Sequence, residues 1–284
     1  MDDKKKREKR KENKRHRIGT PATNLTLVQH HSLGSWDVFR SSFSSLAEGP
    51  PAKMVLLQDP TGSRGFLPSF SGFKSFAPPV ARPRVACYIS RKFLQEFAVL
   101  PIFPPEKDDF MGLEVVTPQG CFGTNFPRFT ISEAYARPLP PSPHSVSPES
   151  SLLDLKHSYL VAGDFNILNA ATNPSRLLSS KEESESVPYF DQASDLGFTL
   201  LNIPGVYSGF PFTGTHSPST IDLAFANPHM FPIFYLLHGS SLLSTGSGNA
   251  PISIIIRPPS PHNDKPRPRW QQAHWPSLTD KIRN

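Results

Sequence analysis

Short apolar runs that end abruptly in polar residues are the feature that most constrains the fold of this chain. Residues 53–60, KMVLLQDP, and residues 158–166, SYLVAGDFN, lack the alternation of polar and apolar residues that a half-exposed strand shows. Continuous apolar runs of this length are typical of strands that are covered on both faces, as in layered α/β proteins. Each run therefore predicts a central strand of an α/β domain, with a polar end at the edge of the sheet.

Further strand and helix patterns surround these two runs. A strand is predicted at 24–31, and large apolar residues then recur at steps of three and four within 34–49, which predicts a helix. The other predicted elements are strands at 84–90, 113–118, 128–138, 219–227 and 250–259, a short helix near 151–156, and a helix from Pro188 to the closing Gly197. Many strands with few helices predict a layered α/β domain over residues 23–257.

The excess positive charge lies in one segment of the chain. The net charge is +6, and residues 1–17 contain ten Lys and Arg against four Asp and Glu, which accounts for the whole excess. The run includes Lys4, Lys5, Lys6, Arg7, Lys9 and Arg10. A basic run without apolar periodicity predicts a disordered arm, residues 1–22, whose functional options are nuclear targeting and non-specific attraction to nucleic-acid phosphates. Nuclear localisation is expected on this basis.

The proline content, the cysteine content and the hydropathy of the chain limit the segments, the cysteine sites and the membrane association that we expect. The 32 prolines predict a loop-rich domain, and residues 258–284, rich in proline and charge, predict a linker outside the core. Two cysteines, Cys87 and Cys121, predict neither a cysteine metal cluster nor a disulfide framework. No secretory signal is visible, and no run approaches the ~18 apolar residues of a membrane span, so no membrane partner is expected.

Polar residues end several of the buried runs. They are Gln58 with Asp59, Tyr135, Asp164 with Asn166, and Asp222. Taken singly, each also fits a turn or a packing role. Because active sites of α/β proteins lie at strand ends and in the loops that follow them, we expect these residues to meet at one edge of a sheet.

In this order the motifs resemble those of the endonuclease/exonuclease/phosphatase superfamily. The most specific motif is GDFN at 163–166. With VLLQDP, RPRVACYIS, AYARP and FTGTHSPSTIDLAFAN, the chain is most similar to the endonuclease domain of non-LTR (LINE-type) retrotransposons of the fungal type. The resemblance implies a DNase I-like, four-layered α/β sandwich of two mixed β-sheets flanked by helices. A reverse transcriptase follows the nuclease in such elements, so residues 258–284 are expected to be a linker stub toward a reverse transcriptase that is absent here.

The resemblance also implies a chemistry. It implies a Mg²⁺-dependent phosphodiester hydrolase that nicks DNA, with Mn²⁺ as the alternative cofactor and RNA as the alternative partner. By resemblance, Asp59 holds the metal, Asp164 positions the attacking water and Asn166 contacts the phosphate. Tyr135 supports the transition state, and Asp222 orients a catalytic histidine.

Four positions depart from the family pattern. Asp59 stands where the family has Glu, roughly 1.5 Å longer, and His31 stands where an Asn amide is expected. The stretch STGSGNAPISI, residues 244–254, keeps the frame of a Ser-Asp-His-x-Pro-Ile motif but has Gly248 and Asn249 in place of the Asp-His pair. An amide cannot take up or release a proton near neutral pH, and losing one positioned acid or base costs about 10²–10⁴ in rate. We therefore expect an impaired or inactive enzyme.

Other interpretations stay open at this point. A weak but active nuclease would rely on Asp59, Asp164 and Asn166, with His216 as the nearest substitute for the lost histidine. A non-catalytic nucleic-acid-binding module would rely on the basic arm, and its affinity would fall steeply with salt. A phosphatase for small substrates is disfavoured, since the near-neutral remainder of the chain shows no Lys/Arg cluster suited to a polyphosphate.

Overall fold

Two six-stranded β-sheets form most of the chain that the computed structural model describes. The described residues are 24–35, 37, 38, 40, 52–61, 66–105, 108–117, 128–135, 158–210, 217–230, 237–239 and 248–256. The strands are β1 (Leu25–His31), β2 (Met54–Gln58), β3 (Phe73–Phe76), β4 (Val85–Ser90), β5 (Ala98–Ile102), β6 (Phe110–Val116), β7 (Arg128–Tyr135), β8 (Ser158–Asp164), β9 (Thr199–Leu200), β10 (Asp222–Ala226), β11 (Leu237–Gly239) and β12 (Ile252–Ile256). The helices with described bounds are α1 (Arg91–Glu96) and α2 (Ser180–Asp195), and a 3-10 turn spans Pro228–Met230.

Both sheets contain parallel and antiparallel neighbours. The strand order is β11-β12-β1-β2-β4-β3 in the first sheet and β5-β6-β7-β8-β10-β9 in the second. The central pairs β1–β2 and β7–β8 are parallel. Their outer neighbours, such as β12 beside β1 and β10 beside β8, run antiparallel. Parallel neighbours need a long crossover connection, which agrees with the strand, helix and strand predicted at the start of the domain.

The main core lies between the inner faces of the two sheets. Leu27, Leu56 and Ile254 of the first sheet share one buried cluster with Val115 and Ile131 of the second. Each of these side chains is at most 1% exposed. Burial of an aliphatic side chain of this size stabilises the fold by about 1.5–3 kcal/mol. The inter-sheet core therefore holds the two sheets face to face.

Strand β2 is covered on both faces, as its apolar run predicted. Successive side chains of a strand point to opposite faces. Met54 and Leu56 enter the inter-sheet core, whereas Val55 and Leu57 join an outer cluster against which Phe70 packs. The absence of polar alternation in the sequence is thus explained by two apolar layers.

Strand β8 shows the same arrangement, with a helix on its outer side. Leu160 and Ala162 point into the inter-sheet core. Tyr159 and Val161 point outward into a second cluster, against which Phe190 of α2 packs. The layered sandwich predicted from the sequence is confirmed, although the described part of the chain is poor in helix.

Helix α2 begins earlier than predicted, so the predicted start at Pro188 is wrong. The helix starts at a capping box, in which the Ser179 hydroxyl accepts from the Glu182 N–H at 3.3 Å and the Glu182 carboxylate accepts from the Ser179 N–H at 2.7 Å. Pro188 lies inside the helix on an exposed turn, where water can satisfy the carbonyl that its missing N–H leaves free. Gly197, with φ of 74°, follows the helix end as predicted.

The other differences concern short or exposed elements. Strands β3, β5, β9 and β11 and helix α1 were not predicted. Strands β9 and β11 and helix α1 are too short to show a clear apolar period, and β3 and β5 contain no buried residue. Of the helix predicted over 34–49, residues 37, 38 and 40 are helical, Gly34 and Ser35 are not, and the others lie outside the described residues. The helix predicted near 151–156, the basic arm and residues 258–284 also lie outside them. None of the described helices combines the length and apolar character needed to cross a membrane.

Candidate active site

The residues singled out at strand ends come together between the two sheets. His31 ends β1 and Asp59 directly follows β2 in the first sheet. Tyr135 and Asp164 end β7 and β8 in the second sheet and are partners in the parallel register. Asp222 is the antiparallel partner of Asp164. The site thus joins two sheets, not one edge of a single sheet, and Asp222 begins its strand, because β10 runs opposite to β8.

His31 bridges carboxylates that belong to different sheets. Its Nδ1 lies 2.9 Å from Asp164 Oδ2, and its Nε2 lies 3.3 Å from Asp59 Oδ2. The ring meets the Tyr135 ring edge-on, with the centroids 5.3 Å apart. Burial of the ring lowers its pKa, but the hydrogen bonds to Asp164 and Asp59 outweigh that effect and raise the pKa of His31 to about 9. The side chain at position 31 is therefore a cation inside the site.

Asp59 is held by a second cation, Arg84. The Arg84 Nη1 donates to Asp59 Oδ1, and the guanidinium also lies over the Tyr135 ring, 5.4 Å from its centroid. Burial acts to raise the pKa of Asp59, but the hydrogen bond from His31 and the charge of Arg84 lower it below its usual value. Sequence reasoning missed Arg84. The available signal was its position directly before β4, the strand that pairs with β2.

Asp164 is oriented by the loop that follows β8. Its Oδ1 accepts from the Asn166 backbone N–H at 3.0 Å. Asn166 has φ of 49°, a left-handed conformation that Asn adopts more readily than most residues. At Gly163 an added Cβ would lie 1.9 Å from the Ala134 carbonyl oxygen, so only glycine fits beneath Asp164. The Gly-Asp and Asn residues of the GDFN motif are thus explained by local backbone geometry.

Asp222 is buried and contacts amide groups. Its Oδ1 accepts from Gln29 Nε2 at 2.6 Å, and its Oδ2 lies 3.5 Å from Asn249 Nδ2. Burial and the nearby charge of Asp164 raise the pKa of Asp222 to about 7, although hydrogen bonds from Gln29 and Ser208 favour the charged form. No imidazole contacts this carboxylate among the hydrogen bonds and ion pairs described for it.

Asn249 occupies the position where the family motif has histidine. Its side-chain Nδ2 lies 3.4 Å from His31 Nδ1, and its backbone carbonyl oxygen lies 3.2 Å from His30 Nε2. Burial lowers the pKa of His30 to about 4, so that ring is neutral at neutral pH. Gly248 has φ of 76° and contributes no side chain. The end of this motif therefore supplies an amide and no acid or base.

A buried polar chain links the two sheets behind the site. Gln29 Nε2 donates to Gln58 Oε1 at 2.9 Å as well as to Asp222, and Gln58 Nε2 donates to Glu133 Oε1 at 2.9 Å. These four side chains are at most 1% exposed. Burial raises the pKa of Glu133 well above its usual value, with the Gln58 hydrogen bond opposing the shift. Sequence reasoning missed Gln29, Gln58 and Glu133 as a unit.

Some residues of the sequence analysis fall outside the described chain. They include Lys4, Lys5, Lys6, Arg7, Lys9 and Arg10 of the basic arm and His216, the candidate substitute for the lost histidine. Their roles stay predictions.

Comparison with known proteins identifies the fold. No protein-family model and no curated protein matches this sequence. Among solved structures, the endonuclease domain of TRAS1, a telomere-specific non-LTR retrotransposon, is similar with a TM-score of 0.62 and 16% identity, over 84% of this chain and 100% of that chain. The AP endonuclease LMAP from Leishmania major has a TM-score of 0.63 and 13% identity, over 84% and 89% of the two chains.

A 3'-5' exonuclease from Neisseria meningitidis is similar with a TM-score of 0.56 and 14% identity, over 82% of this chain and all of that chain. This chain has an endonuclease/exonuclease/phosphatase-like fold. The fold class implied by the sequence motifs is thereby confirmed. The likeness to the fungal type stays a prediction.

The resemblance implies a divalent cation. The carboxylates of this structure are not arranged to hold one. Mg²⁺ takes about six ligands, mostly oxygens, at ~2.0–2.1 Å. The two Asp59 oxygens face His31 and Arg84, and Gly248 offers no carboxylate. Asp164 Oδ2 has no hydrogen-bond partner among the described residues, but the His31 ring lies 2.9 Å from it. Within the described ranges, no group of three or more His, Cys, Asp or Glu is placed to hold a metal ion. The role of Asp59 as a metal ligand stays a prediction.

Proposed function

We propose that this chain is a DNA-directed endonuclease domain of retrotransposon descent whose phosphodiester-hydrolysing activity is strongly reduced or absent. The observation that carries the proposal is the amide beside Asp222. Asn249 Nδ2 lies 3.5 Å from the carboxylate that, by resemblance, orients a catalytic histidine. An amide donates a hydrogen bond but moves no proton near neutral pH, so one acid/base group is missing from the site.

The surviving groups support phosphate binding better than phosphate cleavage. Hydrolysis needs a group that accepts a proton from water and charge that stabilises the leaving oxygen. Asp164 accepts from the Asn166 N–H with Oδ1, and its Oδ2, which has no hydrogen-bond partner among the described residues, lies 2.9 Å from His31 Nδ1. The part-exposed Arg84 guanidinium has five N–H donors and pairs with Asp59 through Nη1, so it can also donate to a phosphate oxygen.

The missing acid/base group at Asn249 also favours a second candidate, a nucleic-acid-binding module without cleavage. In this case the cations His31 and Arg84 offset the carboxylate charge and reduce repulsion of a phosphate backbone. The basic arm adds non-specific affinity that falls steeply with salt. Deletion of residues 1–17 should then weaken DNA binding at low salt and flatten its salt dependence, measured by fluorescence anisotropy with double-stranded and single-stranded DNA.

Nicking of supercoiled plasmid DNA in the presence of Mg²⁺ or Mn²⁺ tests the proposal. The wild-type chain is compared with Asp164→Ala and with a restored variant that carries Gly248→Asp and Asn249→His. A second restored variant adds His31→Asn, because His31 holds both Asp59 and Asp164. We expect wild type to nick no faster than Asp164→Ala, and the second restored variant to gain about 10²–10⁴ in rate.

Nicking by wild type that depends on Asp164 would contradict the proposal. If wild type nicks the plasmid and Asp164→Ala abolishes nicking, the site is active and the proposed loss is wrong. His216→Ala then identifies whether that histidine replaces the missing group.

A further inference from the structure

We propose that two side chains of this protein, His31 and Arg84, take the place of a divalent cation in its carboxylate cluster and keep divalent cations out. The carboxylate cluster consists of Asp59, Asp164 and Asp222. The inference concerns the site of the proposed function, but it rests on the contacts of these carboxylates and not on any cleavage activity.

The contacts leave no Asp59 oxygen free. Arg84 Nη1 pairs with Oδ1, and His31 Nε2 lies 3.3 Å from Oδ2. The other ring nitrogen, His31 Nδ1, lies 2.9 Å from Asp164 Oδ2. Each ring nitrogen of His31 thus lies against a carboxylate oxygen, one on Asp59 and one on Asp164. The ring therefore links a carboxylate of the first sheet to one of the second, as a bridging metal ion would.

The charges of the cluster are balanced from within the protein. Buried carboxylates that lie close together repel one another unless cations or donors compensate them. Arg84 supplies a positive charge beside Asp59, and the His31 ring lies against Asp59 and Asp164. The third, Asp222, faces the amides of Gln29 and Asn249. An added cation is not needed to hold the two sheets together at this point.

The His31 ring also occupies the space between the carboxylates. It is 7% exposed, and the Tyr135 ring packs edge-on against it at 5.3 Å. A cation bound to both Asp59 and Asp164 at ~2.0–2.1 Å requires the oxygens that the ring now faces. Since Gly248 has no side chain, no carboxylate at that position can compensate for the lost ligands.

Substitution His31→Asn tests the inference, because Asn has an uncharged and shorter side chain. The full chain and the variant are compared by isothermal titration with Mn²⁺ and by thermal unfolding in chelator, Mg²⁺ or Mn²⁺. For wild type we expect no saturable Mn²⁺ binding and the same Tm in all three conditions. The variant should have a lower Tm in chelator, regain it with Mg²⁺ or Mn²⁺, and bind Mn²⁺ at least about tenfold more tightly than wild type.

Two further variants control for general destabilisation. His30→Asn removes the neighbouring buried histidine, whose Nε2 lies 3.2 Å from the Asn249 backbone carbonyl oxygen. It should lower Tm without any gain from metal. Arg84→Gln frees one Asp59 oxygen and should tighten Mn²⁺ binding, though less than His31→Asn does. If His31→Asn does not fold in chelator, its recovery on refolding with Mn²⁺ supports the inference.

The inference is overturned if wild type gains Tm with Mg²⁺ or binds Mn²⁺ as tightly as His31→Asn. It is also overturned if neither His31→Asn nor Arg84→Gln responds to metal. A wild type that binds Mn²⁺ but does not nick DNA overturns this inference and leaves the proposed function standing, so the two can fail separately.

Discussion

Ionisation of the buried Glu133 should lower the free energy of unfolding of wild type increasingly as pH rises. Substitution Glu133→Gln should remove this loss. The Glu133 side chain is 1% exposed, and its Oε1 accepts from Gln58 Nε2 at 2.9 Å. Its Oε2 has no hydrogen-bond partner among the described residues. Burial raises the pKa of this carboxyl well above the ordinary value of 4.5. Glutamine keeps the acceptor for Gln58 and matches the neutral acid in shape.

The sign and size of the effect follow from proton linkage. A carboxyl whose pKa is raised in the folded state contributes stability that is fully present below the unfolded pKa of 4.5 and is lost as pH rises through the folded pKa. Inside that window, each pH unit costs wild type about 1.4 kcal/mol of unfolding free energy. The variant has no proton to lose at this position. The free energy of unfolding of Glu133→Gln minus that of wild type should therefore grow by about 1.4 kcal/mol per pH unit.

Urea unfolding at pH values from about 5 to about 8 measures this difference, with the m-value checked for constancy. Ser132→Ala is the matched control, since Ser132 is the preceding residue of β7 and its buried hydroxyl pairs with Tyr159 OH at 2.5 Å. That control should lose about 1 kcal/mol equally at every pH. A difference between Glu133→Gln and wild type that does not change with pH would refute the reasoning.

Two predictions concern local geometry. Gly163→Ala should cost at least about 4 kcal/mol or prevent folding, because its Cβ would lie 1.9 Å from a backbone oxygen of β7. Gly112→Ala, whose Cβ would meet its nearest neighbours at 3.4 Å, should change the unfolding free energy by less than about 1.5 kcal/mol; similar losses for both would contradict the contact argument. Ser179→Ala should cost about 1 kcal/mol by removing the α2 cap, seen as faster amide exchange in the first turn.

The central strands could be predicted from the sequence because burial on both faces leaves a direct mark. Every residue of β2 is buried, and its run MVLLQ contains no polar residue before its end. The edge strand β5 leaves no such mark, since none of the residues of AVLPI is buried and one of them is a proline. The start of α2 was misplaced because a proline at a first helical turn is common, whereas here the capping box at Ser179 sets the start.

The candidate site was predicted in part, for reasons of the same kind. Asp59, Asp164 and Asp222 each stand at the polar end of an apolar run, and the register of the sheets brings such ends together. Arg84 and Glu133 contact residues that are distant in sequence. No local spacing therefore predicts their place in the site. The role of His31 was equally hidden, because its two carboxylate partners come from different sheets.

The pairing of β1 with β12 has a consequence for how the chain folds. Leu25 of the first strand is the partner of Ile256 of the last, and both strands lie inside the first sheet, away from its edges. The ribosome synthesises the chain from its N-terminus. Almost the entire domain must therefore be synthesised before β12, one of the two neighbours of β1, exists. Contacts of such high sequence separation slow folding. We expect the first sheet to close last, after β6, β7 and β8 of the second sheet, which are consecutive in sequence, have paired.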